Sequence, residues 1–140
     1  VPINPGQTCV TSVAGNTFGA TASLPILTPP LTGTGCGQAN NDVWYSFVAT
    51  ATSHSINLTN LVGTPAAATL NHSVFSGDCN NLVKLYCSTA LNSGATGLTV
   101  GNTYYIRVYN SNTTAGQSVT FNICITSPPT HFLFRGLRLL

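Results

Sequence analysis

No stretch of this chain places apolar residues at helical spacing, and the side chains that would line the wet face of a helix are missing. The 140 residues include no Glu, no Met and a single Lys. With neither the period nor the propensity for helix, the chain has to bury its apolar side chains in strands. The alternation agrees. Val43-Trp44-Tyr45-Ser46-Phe47-Val48 puts Val43, Tyr45 and Phe47 on one face and Trp44, Ser46 and Val48 on the other. Ser55 to Thr59 alternates strictly, with Ile56 and Leu58 inward. Two shorter runs, Leu70 to Phe75 and Leu82 to Cys87, flank Ser76-Gly77-Asp78-Cys79-Asn80-Asn81, whose Gly and Asn residues supply turn conformations. In the second run Val83, Leu85 and Cys87 share a face opposite Lys84 and Tyr86.

Thr103 to Tyr109 presents Tyr104, Ile106 and Val108 to the core, and Val119 to Thr126 presents Val119, Phe121, Ile123 and Ile125. These two runs, joined by a turn at Asn110 to Gly116, are expected to form an antiparallel hairpin. Cys9 to Val13 and Thr17 to Ala22 are weaker strand candidates. Leu24 to Asn41 is a Pro/Gly-rich loop too long for a simple turn. Strands recurring roughly every ten residues between turn signals, about eight to nine in all, predict an all-β antiparallel β-sandwich over residues 1–129. Ser127-Pro128-Pro129 closes it, because consecutive prolines cannot donate to a ladder.

Charge narrows the function. Only 4% of residues are charged, where an ordinary domain carries roughly a quarter, so Thr, Ser, Asn and Gly must meet the water. Asp42 and Asp78 cancel Lys84 and Arg107, and the formal +2 belongs to Arg135 and Arg138 near the C-terminus. A basic surface for nucleic acid is excluded, and near-zero net charge removes the long-range repulsion between copies of the chain. No apolar run reaches the roughly 20 residues of a membrane-spanning helix.

Catalytic constellations are equally sparse. There is no G-x-S-x-G elbow, His54, His72 and His131 lie in unrelated contexts, and Asp42 with Asp78 is the only carboxylate pair, with local backbone hydrogen bonding as the expected role of each. No enzyme, cofactor or metal is expected. Trp44, Tyr86, Tyr105, Arg107 and Tyr109 are candidates to share exposed faces, the chemistry of a carbohydrate-binding sandwich. Asn57, Asn71 and Asn112 stand in N-x-S/T sequons, acceptors wherever the source glycosylates its surface proteins. Five cysteines, none in a C-x-x-C pair, read as disulfides of an oxidising compartment with one left over.

Four motifs in order, Asn41-Asp42-Val43-Trp44-Tyr45-Ser46-Phe47, Val74-Phe75-Ser76-Gly77-Asp78-Cys79 with Leu82 and Cys87, Gly97 to Val108, and Phe121-Asn122-Ile123-Cys124, carry a family resemblance. Over nearly all of residues 8–127 the chain resembles the pre-peptidase C-terminal-like β-sandwich domains of large secreted and surface proteins of bacteria, especially Bacteroidetes. The resemblance implies a jelly-roll-like sandwich outside the cell that serves as an accessory, adhesive or spacer module. Where relatives carry acidic residues before Val43 and after Cys87, this chain has Gln38-Ala39-Asn40-Asn41-Asp42 and Ser88-Thr89-Ala90-Leu91, which leaves a calcium site short of oxygen ligands. With the resemblance, Cys79 pairs with Cys87 across the turn and Cys9 with Cys36 across the long loop. Cys124 is left either as a buried thiol or bonded to another chain or to an upstream segment. The upstream option has a precedent, since relatives carry a further cysteine before the Cys9 position and this sequence begins after it. The face of Cys124, opposite Phe121, Ile123 and Ile125, favours accessibility.

Residues 130–140 have no counterpart in the resemblance. Phe132, Leu133, Phe134, Leu137, Leu139 and Leu140 make this tail an aggregation hazard unless it docks on its own sandwich or adds a strand to a neighbouring subunit. The expected function is a non-catalytic module of the cell surface that joins copies of itself, or adjacent modules, into a filament or adhesin stalk. The alternative is a carbohydrate- or substrate-binding module of a secreted hydrolase.

Overall fold

The structure is a computed structural model that describes residues 1–23, 36, 41–65, 69–110 and 116–128. The six assembly residues of the tail, Asn112 and most of the long loop lie outside this set. Among the described residues there are eight strands: β1 (Val13–Asn16), β2 (Asn41–Val48), β3 (His54–Thr64), β4 (Asn71–Asp78), β5 (Asn81–Ser88), β6 (Asn92–Ala95), β7 (Thr103–Asn110) and β8 (Ser118–Thr126). They form two four-stranded antiparallel sheets, ordered β1-β8-β3-β6 and β2-β7-β4-β5. Successive strands mostly alternate between sheets, which is the double Greek key of a jelly roll.

Period two decides the core. Tyr45, Phe47, Val74, Ile106 and Val108 from one sheet meet Ile56, Leu58, Val119, Phe121, Ile123 and Ile125 from the other, all buried. Tyr45 stands edge-on to Phe121 at 6.2 Å, and Phe47 stacks on Tyr104 at 5.7 Å. Gly15 in β1 lies opposite Phe121, and a Cβ there would collide with the Phe121 ring and the Tyr45 hydroxyl.

Four expectations need correction. The last two long strands are not a hairpin: β7 pairs with β2 and β4, while β8 pairs with β1 and β3. Their inward residues face one another across the core instead of lying side by side. Cys9 to Val13 and Thr17 to Ala22 are not the strands; the short β1 starts only at Val13 and ends at Asn16, where Gly15 permits close approach to β8. β5 does not keep one alternation, because a bulge between Val74 and Phe75 shifts its register, so that Val83 and Cys87 end on opposite faces. The disulfides are Cys9–Cys124 and Cys36–Cys87, with Cys79 free and exposed. Cys79 lies beyond the end of the β4–β5 ladder, whereas Cys87 sits opposite Ser73, roughly 20 Å back along the strand. Gly6 bonds to Ile125 and Ser127, which carries Cys9 alongside β8 and away from Cys36. Cys124 is accordingly buried, at 2% exposure.

Closing loops of 115 and 51 residues, the two bonds are each expected to stabilise the fold by about 4–5 kcal/mol in the chain-entropy picture. Peptide mapping without reduction should recover Cys9 with Cys124 and Cys36 with Cys87, and alkylate Cys79 alone. Recovery of a Cys79–Cys87 peptide would contradict this connectivity.

Candidate functional site

The outer face of the β2-β7-β4-β5 sheet gathers most of the residues marked for ligand binding. Antiparallel register sets Trp44 beside Arg107 and Asp42 beside Tyr109 on one side of β7, with Ser73 beside Arg107 and Asn71 beside Tyr109 on the other. Arg107 Nε forms an ion pair with Asp42 Oδ2. The same carboxylate accepts from the Ser23 amide at 3.2 Å and, through Oδ1, from the Ser23 hydroxyl at 2.5 Å. Trp44 Nε1 donates to Ser23 Oγ at 2.9 Å, and the Arg107 guanidinium lies over the rings of Trp44 and Tyr109 at 5.6 and 5.8 Å. Phe75 packs on Trp44 with ring centroids 5.4 Å apart.

Cys36 closes the other end. Its carbonyl accepts from Tyr109 Oη at 2.8 Å and from Asn71 Nδ2 at 3.1 Å, while its sulfur is tied to Cys87. Burial pushes the Tyr109 hydroxyl up, against the smaller opposing effects of the neighbouring Ser73 hydroxyl and the Arg107 charge. Arg107 is 6% exposed and Tyr109 2%. These two are therefore not free to meet a ligand, contrary to their expected exposure. Ser23 and Cys36 cover a face that the sequence reads as open. Trp44 and Tyr105 stay partly exposed, and a hydrogen bond to Cys79 is the main cause raising the Tyr105 hydroxyl. Tyr86 turns the other way, packing against the core.

Asp42 thus has a distant partner, not a local one. Asp78 keeps its local role, accepting from the Asn80 amide at 2.9 Å. Asn71 is 8% exposed with its amide committed to Cys36, so the folded domain offers no acceptor there; Asn57 is half-buried, its amide bonded to Ser55 and Thr126. His54 is buried, with Nε2 accepting from the amides of Thr50 and Ala51. His72 Nε2 lies 2.6 Å from Ser93 Oγ, a contact between the sheets that sequence spacing does not reveal. That Ser–His pair lacks an orienting acid, since His72 Nδ1 has no partner, and burial lowers the imidazole to about 4, too acidic for a base working near neutrality. No cluster of three metal-ligating side chains occurs among the described residues, and none of their helices is long and apolar enough to cross a membrane.

The fold and this interlocked face define a jelly-roll β-sandwich module. The family described as galactose binding domain-like, T9SS-associated, matches residues 3–123, and the chain belongs to it. The match, together with the pre-peptidase C-terminal-like motifs, supports a non-catalytic β-sandwich module of secreted proteins. Among solved structures, a periplasmic inhibitor of g-type lysozyme from Aeromonas hydrophila is 12% identical, covering 89% of this chain and 96% of its own at a TM-score of 0.50. The pre-peptidase C-terminal domain of a Bacillus anthracis collagenase is 14% identical, with 89% and 94% covered and a TM-score of 0.46. No curated protein matches the sequence. Family and disulfides together indicate an extracellular or envelope location.

Replacing Asp42 by Asn should cost about 3–5 kcal/mol, because it leaves the Arg107 charge buried and unpaired. In urea denaturation the double variant Asp42→Asn with Arg107→Leu should recover part of that loss. Additive losses would show that the two side chains do not act as a pair.

Proposed function

We propose that the module works by contact and not by chemistry, joining copies of itself in an extracellular assembly. The apolar tail of one copy is the donor segment and β5 of the next is the acceptor. The observation that carries this reading is the edge of β5. The outer edge of β2 is capped by residues 1–3, with Ile3 donating to Ser46 at 2.7 Å and Ser46 to Val1 at 3.0 Å. β5 runs for eight residues with no described strand on its outer side, and exposes Val83 at 59% and Leu85 at 43%. An unpaired edge with apolar side chains is a template for strand addition. The absence of net charge through Pro129 leaves no long-range repulsion to hold copies apart. Phe132, Leu133, Phe134, Leu137, Leu139 and Leu140 supply the apolar surface of the donor.

Sedimentation velocity tests the two halves separately. Deleting residues 131–140 should convert assembled material to folded monomer, and so should Val83→Asp with Leu85→Asp, whose exposed positions keep the combined folding cost to about 1 kcal/mol. Assembly that survives the deletion removes the tail as donor, and assembly that survives the double variant removes β5 as acceptor.

The family description favours a second reading, carbohydrate binding, for which Trp44 and Tyr105 are the partly exposed aromatics of the outer face. Galactose-containing glycans on an array should then bind the native module and lose at least tenfold in affinity on Tyr105→Ala, equivalent to about 1.4 kcal/mol. An array without signal, or binding indifferent to that change, counts against it.

A further inference from the structure

The His72–Ser93–Tyr86 contact joins the two sheets at one margin of the sandwich. His72 comes from β4 and Tyr86 from β5, in one sheet, and Ser93 from β6, in the other. Ser93 Oγ sits 2.6 Å from His72 Nε2 and 2.8 Å from Tyr86 Oη. Among the described strands both at this margin are edges: β6 pairs with β3 alone over four residues, and β5 with β4 alone. β6 contributes little apolar anchoring, since Ala95 is its one buried residue. Beyond its four-residue ladder with β3, this side-chain contact ties β6 to the opposite sheet.

His72 is fully buried, and its Nδ1 has no partner among the described residues. Whichever tautomer the neutral ring adopts, a second proton creates a buried cation with one N–H pointing at no acceptor. The groups that face it are Ser93 from β6, Val108 from β7, and Ser88 and Tyr86 from β5. Of these only Tyr86 titrates, and burial pushes it upward, so it stays neutral through the acid range. None of these described neighbours can compensate the charge, and burial lowers the imidazole to about 4.

We propose that the His72–Ser93–Tyr86 contact is an acid-released latch: protonation of His72 frees the β5 and β6 margin while the paired centre of each sheet persists. A histidine whose folded value is depressed contributes in full above its unfolded value near 6.5, and that contribution drains away as pH falls toward 4. The margin is closed at neutral pH and opens in mild acid, whatever the module contacts.

Hydrogen exchange of the full chain at pH 7.5 and 4.8, corrected for intrinsic rates, provides the test. Linkage between 6.5 and 4 predicts an opening constant for peptides spanning 81–95 about 40-fold larger at pH 4.8, with β8 little changed. His54 is also buried with a lowered value, so His72→Gln is the control: it keeps a neutral amide toward Ser93 and should abolish the pH dependence at the margin. Equal protection at both pH values, or a pH-dependent rise that survives His72→Gln, overturns the latch. Should His72→Gln fail to fold, imidazole signals in the native chain decide the matter. The latch requires His72 to titrate near 4, and titration close to 6.5 refutes it.

Discussion

In a body that carries four charged side chains, two of them have found each other under cover. The Asp42–Arg107 pair spans β2 and β7, and nearly every element of the outer face is arranged to keep it satisfied. A buried ion pair is a weak source of net stability, because desolvation offsets much of the Coulomb attraction. What it does impose is geometry. Asp42 needs further donors, and Ser23 supplies two; Arg107 needs its charge spread, and Trp44 with Tyr109 offer ring faces. Both Ser23 and Trp44 are then fixed by their mutual hydrogen bond. The second disulfide finishes the enclosure, because Cys36 is tied to Cys87 and receives Tyr109 and Asn71 on its carbonyl. The molecule thus has two interiors, an apolar one between the sheets and a polar one on the back of the second sheet.

This division explains what could be read in advance. Alternation reports which side chains share a face, so the inward residues of β2, β3, β7 and β8 were legible from their order alone. It says nothing about which strand lies next to which: β7 and β8, each with a clean apolar face and joined by a short connection, read as neighbours but are opposite walls of one core. β6, Asn-Ser-Gly-Ala, has no apolar alternation and left no signal; it is a strand because β3 offers it partners. The cysteines failed for the same reason as the hairpin. Proximity in sequence favoured Cys79 with Cys87, and only the three-dimensional register shows them at different ends of a ladder.

The outer face was legible in membership and illegible in exposure. Trp44, Tyr105, Arg107 and Tyr109 do lie together, as their positions in two aromatic-rich strands require. Their environment depends on a serine and a cysteine from a segment with no periodicity, and no local pattern announces that Ser23 and Cys36 cover them. One signal was available: an Arg with a tyrosine two residues away on either side, in a chain with almost no charge, needs a nearby carboxylate, and Asp42 opens the motif that contains Trp44.

Poverty of charge also relocates the module's response to its surroundings. In most domains the loss of stability in acid is spread over many paired carboxylates that must be protonated. Here two carboxylates exist, one paired beneath a cover and one in a turn. Screening by salt has correspondingly little to act on. The groups left to register pH between neutrality and mild acid in the described structure are two buried imidazoles, and they differ in how they are held. His54 has both ring nitrogens engaged by backbone atoms, within the reach of a single sheet and its adjoining turn. His72 reaches across to the other sheet with one nitrogen and leaves the second unmet. In neutral His54 the Nδ1 proton already meets the Thr126 carbonyl, so an added proton falls on Nε2 and displaces the amides of Thr50 and Ala51, a local loss at one turn; an added proton on His72 instead disturbs the contact with Ser93, which joins one sheet to the other.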